Sequence, residues 1–286
     1  MPSAAFCICG QARGFTNAAV VPSIRRNAIQ AFGVDDSDVF LVLKYESEEH
    51  AHQIRAAATM LDPKDMLMRS SASDSSTVAH NTTKCAAPVN GTYMQRFMYA
   101  WHDIARCFEM VRREEANRGS AYDFVIKMRP DAQLCKPFPA WTALNLSNHK
   151  TEAHSMDKYS RTIATYGKVA ADGPEAHDHV AIMARPLADR YFAAEQEIAD
   201  CAPHSEYGRS SCHGFPHSGW RQKSDVPAEC LLSRWLQRGG VAWDTYDHPI
   251  MGMSNHCLWN SDKILHRCTG GCKPGAARLA QSAAAG

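Results

Sequence analysis

Apolar positions along the chain alternate between two periods, short unbroken runs and helical stripes, and the order in which they come predicts an α/β fold. Ala4–Cys9 is an unbroken apolar run that stops at Gly10-Gln11-Ala12-Arg13-Gly14, and Thr16–Phe32 then carries Val20, Val21, Ile24, Ile29 and Phe32 at helical spacing. This is a strand, a glycine-bearing turn and a helix. Asp38–Leu43 predicts a second buried strand, His50–Leu61 a helix stopped before Asp62-Pro63, and Asp65–Arg69 a third strand. Ser70–Asn90 is polar and without period, a long loop that could cover a ligand. Thr92–Arg118 sets Met94, Phe97, Met98, Trp101, Ile104, Ala105, Phe108 and Val111 on one helical face, and Gly119 ends it.

Tyr122–Leu134 reads as a buried strand that breaks at Arg129-Pro130-Asp131, where proline removes a ladder donor. His179–Met183 is a further apolar run, followed by a helix from Pro186 to Ala199 and an irregular Gly-, His- and Ser-rich stretch, Cys201–Val226. Pro227–Arg238 predicts a short helix between proline and Gly239-Gly240, and Val241–Tyr246 a closing strand. Strands alternating with helices predict one mostly parallel sheet covered on both faces, and such sheets bind ligands outside the carboxyl ends of their strands. One domain over 1–272 is expected, with 70–91 and 201–226 as elaborations and 273–286 as a disordered small-residue tail.

Composition narrows the choice of partner. With 286 residues there is room for one sizeable core, and a formal net charge of +1 gives no basis for a nucleic-acid groove. There is no apolar run long enough to span a membrane and no signal-peptide pattern, so the sequence as written reads as cytoplasmic. Sequons at Asn81, Asn90 and Asn145 would instead suit a Golgi-lumen catalytic domain cut from its anchor. Of eleven cysteines, Cys7, Cys9, Cys107, Cys135 and Cys230 fall in apolar segments, where a thiol is expected to behave as a small buried hydrophobe.

Candidate chemistry gathers at two predicted strand ends. Gly10 lets backbone approach a ligand, and Gln11 and Arg13 offer amide and guanidinium donors, although an ordinary βα turn with a surface arginine has the same composition. At the second, alternation places Lys127, Arg129 and Asp131 on one side unless the proline bends the chain; cations, or a metal held by a carboxylate, are what a diphosphate needs.

In this order, Gly10-Gln11-Ala12-Arg13, Gln95 early in a long helix, the Arg129-Pro130-Asp131 break, Asp178 before an apolar strand and Glu229 opening a helix resemble the GT-A-fold nucleotide-sugar glycosyltransferases. The likeness is to a group with Arg-Pro-Asp in place of Asp-x-Asp, and it runs from about Phe6 to Ile250. It implies a Rossmann-like GT-A domain that moves a hexosyl or pentosyl unit from a nucleoside-diphosphate sugar to a hydroxyl of a glycan or other acceptor. Under it, Gly10, Gln11, Arg13 and Gln95 contact the nucleotide, with Lys127 and Arg129 toward the diphosphate. Asp131 and His256 hold Mn²⁺ or Mg²⁺, and Arg129 in place of the first Asp puts metal dependence in question. Glu229 is the expected base, with Asp225 as substitute, and Asp178 holds sugar or acceptor hydroxyls. The loop bearing His213, Phe215, His217 and Trp220 offers ring faces to an acceptor sugar. Two other readings stay open: a sugar nucleotidyltransferase, and a non-catalytic nucleotide- or glycan-binding relic or a zinc-stabilised module built on the Cys257–Cys272 segment with its His256, Cys257, His266, Cys268 and Cys272.

Overall fold

A computed structural model of the chain describes residues 2–73, 91–144, 162–167, 179–194, 232, 235–236, 239–247 and 250–252, with backbone alone for 73, 91–98, 162–167, 242–247 and 250–252. Seven strands form one sheet: β1 (Ser3–Gln11), β2 (Asp36–Tyr45), β3 (Asp65–Ser70), β4 (Phe124–Met128), β6 (Thr162–Gly167), β7 (Val180–Ala184) and β8 (Ala242–Asp247), in the order β3-β2-β1-β4-β7-β6-β8. β7 is antiparallel to both neighbours; every other pairing is parallel, so six strands run one way and β7 alone runs back. A separate two-stranded antiparallel ribbon joins β5 (Ala132–Leu134) to β9 (Ile250–Gly252). The expected fold class holds: a single α/β domain on a mostly parallel sheet.

Alternation along the strands sends their side chains into two cores. On one face Phe6, Ile8, Leu41, Leu43, Ile126 and Met128 meet the helical segment 20–32 and α2 (Glu48–Ala58). On the other, Ala5, Cys7, Phe40, Val42, Val125, Ala181 and Met183 meet α3 (Gly91–Arg118) and α4 (Arg185–Phe192). Helices cover both faces, as a mostly parallel sheet requires. Among the described residues, no helix is long and apolar enough to cross a membrane.

The helix expected from Thr16 begins four residues later, as α1 (Val20–Ile24), and runs on as a π-helical segment, Arg25–Gln30. Residues before it are held in turns, in which Asn17 Oδ1 accepts from the Ala19 N–H at 2.9 Å. α2 begins at Glu48 rather than His50, because the Ser47 hydroxyl caps it, accepting from the His50 N–H at 3.1 Å, with Glu48 and Glu49 in the first turn where the helix dipole favours anions. α3 stops where expected, at Gly119, whose φ of +69° few other residues adopt. Tyr122–Leu134 is not one strand but two, β4 and β5, in different sheets. β6 was not anticipated at all.

The cysteine expectation needs correction. Cys7 on β1 and Cys107 on α3 are both wholly buried, as expected, but they are joined in a disulfide across 100 residues of chain, and Cys135 is also disulfide-bonded. Cys9 remains a buried thiol. The sheet's amino end is tied by polar contacts. Tyr122 donates its hydroxyl to Asp38 at 2.5 Å while the Arg118 guanidinium lies 4.5 Å over its ring, and the Ser3 N–H reaches Asp123 at 2.8 Å. Burial, reinforced by the bond to Asp38, pushes the Tyr122 hydroxyl pKa well above its ordinary value.

Candidate functional site

The chain leaves β1 toward β2 and β3 on one side, and returns to place β4 on β1's other side. The carboxyl ends of β1 and β4 therefore flank the point where the strand order reverses, where the two connections diverge and leave a crevice. Both motifs singled out in the sequence sit on it. β1 ends at Gln11, and Gly10, which adopts a φ of +127°, packs beside Pro130 of the break after β4: a Cβ at Gly10 would lie 3.6 Å from Pro130 Cδ. Space is adequate there; the backbone conformation is what calls for glycine.

The break after β4 does not present three separate charges. Arg129 and Asp131 form a two-pronged ion pair, Nε to Oδ1 at 2.9 Å and the second guanidinium nitrogen to Oδ2 at 2.8 Å. The carboxylate is nearly sealed, with a side chain 6% exposed, whereas the guanidinium remains 39% exposed. Proline ends the strand and folds the carboxylate back onto the guanidinium two residues before it, so alternation no longer applies at Asp131. Asp131 is thus engaged by Arg129 rather than open to solvent. Both its oxygens accept from Arg129, and among the described residues no group of three His, Cys, Asp or Glu side chains could hold a metal ion. The crevice presents an oriented guanidinium.

Lys127 likewise departs from expectation. It is 1% exposed and registers with Cys7 and Ala181, placing it on the α3-covered face of the sheet rather than at the crevice mouth. Arg129 is also anchored through its backbone, its N–H donating to the His179 carbonyl at 3.0 Å at the start of β7. Because β7 runs backward, its amino end lies beside the carboxyl end of β4.

On the other side of β1 lies a polar cluster that the sequence reading missed. Lys44, near the end of β2, pairs in register with Gln11 and with Arg69 near the end of β3. Both cations meet Asp103 of α3, Lys44 Nζ at 2.8 Å and Arg69 at 3.3 Å; Lys44 also donates to the Tyr99 carbonyl at 3.3 Å. Asp103 is wholly buried and Lys44 nearly so. The cluster fastens α3 over the carboxyl ends of β2 and β3. Beyond it, Arg13 lies 3.7 Å from Glu46, with side chains 37% and 54% exposed.

Gln95 falls in the second turn of α3, where only the backbone is described. Asp178, Asp225, Glu229 and His256, the loop with His213, Phe215, His217 and Trp220, the Cys257–Cys272 segment and the sequon asparagines Asn81, Asn90 and Asn145 all lie outside the described residues. Of the candidates, the structure therefore brings Gly10 against the Arg129-Pro130-Asp131 break and places Gln11 and Arg13 on the β2 side of β1. A cavity of about 230 Å³ between Asp65, Leu67, Arg106 and Arg113 belongs to the opposite, amino end of β3 and is separate from this crevice.

The fold is a single α/β domain on a mostly parallel sheet, a class in which ligands are taken at the point where the strand order reverses. No protein-family model matches the chain, and no curated protein matches it. Among solved structures, that of mouse xyloside xylosyltransferase 1 in its apo form is similar over 91% of this chain and 86% of its own, at 10% identity and a TM-score of 0.43. Likeness that distant carries no inference about activity.

Proposed function

We propose that the chain is a glycosyltransferase that binds a nucleoside-diphosphate sugar in the β1–β4 crevice and passes the sugar to a hydroxyl acceptor. The supporting observation is Arg129: a half-exposed guanidinium, held in one orientation by a sealed carboxylate, at the strand-order reversal where such sheets take their ligands. A planar guanidinium suits phosphate oxygens, and orienting it in advance removes the entropy it would otherwise lose on binding. The order of motifs noted in the sequence agrees with this reading.

In the reaction, the bond from the anomeric carbon to the diphosphate oxygen breaks as the acceptor oxygen bonds to that carbon. Negative charge grows on the departing diphosphate, and Arg129 stabilises it where it forms. Asp131 acts through Arg129 as a positioning residue. The acceptor proton passes to a carboxylate, for which Glu229, Asp178 and Asp225 are the sequence candidates. No step is assigned to a metal ion.

Thermal shift with UDP-, GDP- and other nucleoside-diphosphate sugars tests the proposal. A bound donor at a hundred times its Kd should stabilise the fold by about 2.7 kcal/mol. Changing Arg129 alone would strand a buried carboxylate, so the informative variant is Arg129→Gln with Asp131→Asn, which removes both charges together. It should melt near the wild-type temperature and lose the shift. A wild type indifferent to every donor, or a double variant that responds like wild type, refutes the proposal.

A further inference from the structure

We infer that Glu46 and Arg13 form a ribonucleoside subsite at the carboxyl end of β2, with Glu46 receiving the vicinal hydroxyls of a ribose. The inference deepens the donor reading above and rests on it.

Glu46 follows the last residue of β2 and precedes Ser47, the cap of α2, so its backbone is set between two rigid elements. Its N–H is directed to His50 Nδ1 at 3.4 Å, and the neighbouring turn is closed by the Ala12 N–H on the Lys44 carbonyl at 3.1 Å. Glu46 therefore stands beside the Gly10–Arg13 turn, on the far side of β1 from Arg129.

Arg13 and Glu46 are close enough to attract each other and too far apart to share a hydrogen bond, at 3.7 Å. Arg13 Nε is buried and has no hydrogen-bond partner. A donor withdrawn from water with no acceptor is uncommon in a folded protein, and its cost is relieved when a ligand supplies one. Beside it, the Glu46 carboxylate is 54% exposed and can accept two hydroxyls at once. The missing partner must therefore carry an acceptor for a guanidinium next to a pair of donors for a carboxylate. A ribonucleoside has both: base or phosphate oxygens for Arg13, and the 2′- and 3′-hydroxyls for Glu46. From β2 to β4 is two strand spacings, roughly 10 Å, a span that a nucleoside diphosphate covers between its ribose and its terminal phosphate.

A second buried polar atom points the same way. Ser71 Oγ, just past the end of β3, also has no hydrogen-bond partner. The row Arg129, Arg13, Glu46, Ser71 thus follows the sheet order β4, β1, β2, β3 and extends the polar track outward from the diphosphate end.

The test is calorimetric titration of the full chain with UDP, GDP and ADP and with their 2′-deoxy counterparts, for wild type, Glu46→Gln and Glu46→Ala. Wild type should bind its preferred ribonucleotide about tenfold or more tighter than the deoxy form, as loss of a charge-assisted hydrogen bond implies. Both variants should bind the two forms within about twofold of each other, bind the deoxy form no more tightly than wild type does because its 3′-hydroxyl also loses the carboxylate, and melt as wild type does. Equal binding of the two forms by wild type, or discrimination retained in Glu46→Ala, overturns the subsite while leaving nucleotide binding intact. A wild type that binds none of the ribonucleotides overturns the donor reading, and the subsite with it.

Discussion

Removing the Cys7–Cys107 bridge should cost the fold several kcal/mol, about 4–5 on the chain-entropy account. The two cysteines are 100 residues apart, so the bridge ties the first strand to the middle of α3 and closes a loop holding about a third of the chain. A cross-link over such a loop restricts the unfolded chain by an amount worth about 4.7 kcal/mol at 25 °C on the chain-entropy account. For a chain of this size that corresponds to a fall in Tm of roughly 10–20 °C. The perturbation of choice is Cys7→Ala with Cys107→Ala: both sulfurs are wholly buried, so reductant reaches them only through opening, and serine would bury an unpaired hydroxyl. Urea unfolding followed by circular dichroism, with the non-reduced wild type as reference, gives the difference directly. A double variant within about 1 kcal/mol of wild type, or peptide mapping without reductant that recovers Cys7 and Cys107 as free thiols, refutes the reasoning.

Two further outcomes are expected. Asp103→Ala removes the carboxylate shared by buried Lys44 and Arg69 and should destabilise the fold by about 3–5 kcal/mol in urea unfolding, whereas a loss under 1 kcal/mol would show that these cations do not depend on it. For Tyr122 the folded-state pKa is raised by burial first and by Asp38 second, so above pH 10 the unfolded chain gives up this proton while the folded chain keeps it. The unfolded state then binds fewer protons, and stability falls as pH rises; below pH 10 the contribution is complete. Tyr122→Phe should cost about 1–2 kcal/mol at neutral pH and flatten the alkaline decline, and an unchanged profile would mean that the hydroxyl does not titrate as argued.

Those parts of the fold governed by local burial are legible in the sequence. The strands β1, β2, β4 and β7 coincide with apolar runs because strands covered on both faces need apolar residues at nearly every position. β6 escapes because Thr-Ile-Ala-Thr-Tyr-Gly is neither a run nor bounded by turn residues. The capping role of Ser47 was present in Ser47-Glu48-Glu49, and attention to caps rather than to apolar spacing finds it. Contacts between distant segments are a different matter. Nothing in the spacing of eleven cysteines pairs Cys7 with Cys107, and nothing announces that a lysine closing an apolar strand will meet an aspartate on the face of α3. At the candidate site, strand position was legible and side-chain geometry was not: Arg129 and Asp131 lie where the sequence puts them, but proline turns the carboxylate onto its own neighbour. Glu46 was invisible because its significance comes from Arg13, a contact made across two strands.

The reversed direction of β7 has a consequence for how such a protein can change. Parallel strands feed a crevice only from segments that follow them, so every loop there is bound to the helix it leads into. A strand running backward delivers its preceding segment to the same place, as His179 beside Arg129 illustrates. The sheet end around Arg129 is thus shared by residues at the end of β1, of the break after β4 and, from the opposite direction, by His179 at the start of β7. Changes of sequence ahead of β7 would reach that end of the sheet without passing through the segments that follow β1 and β4.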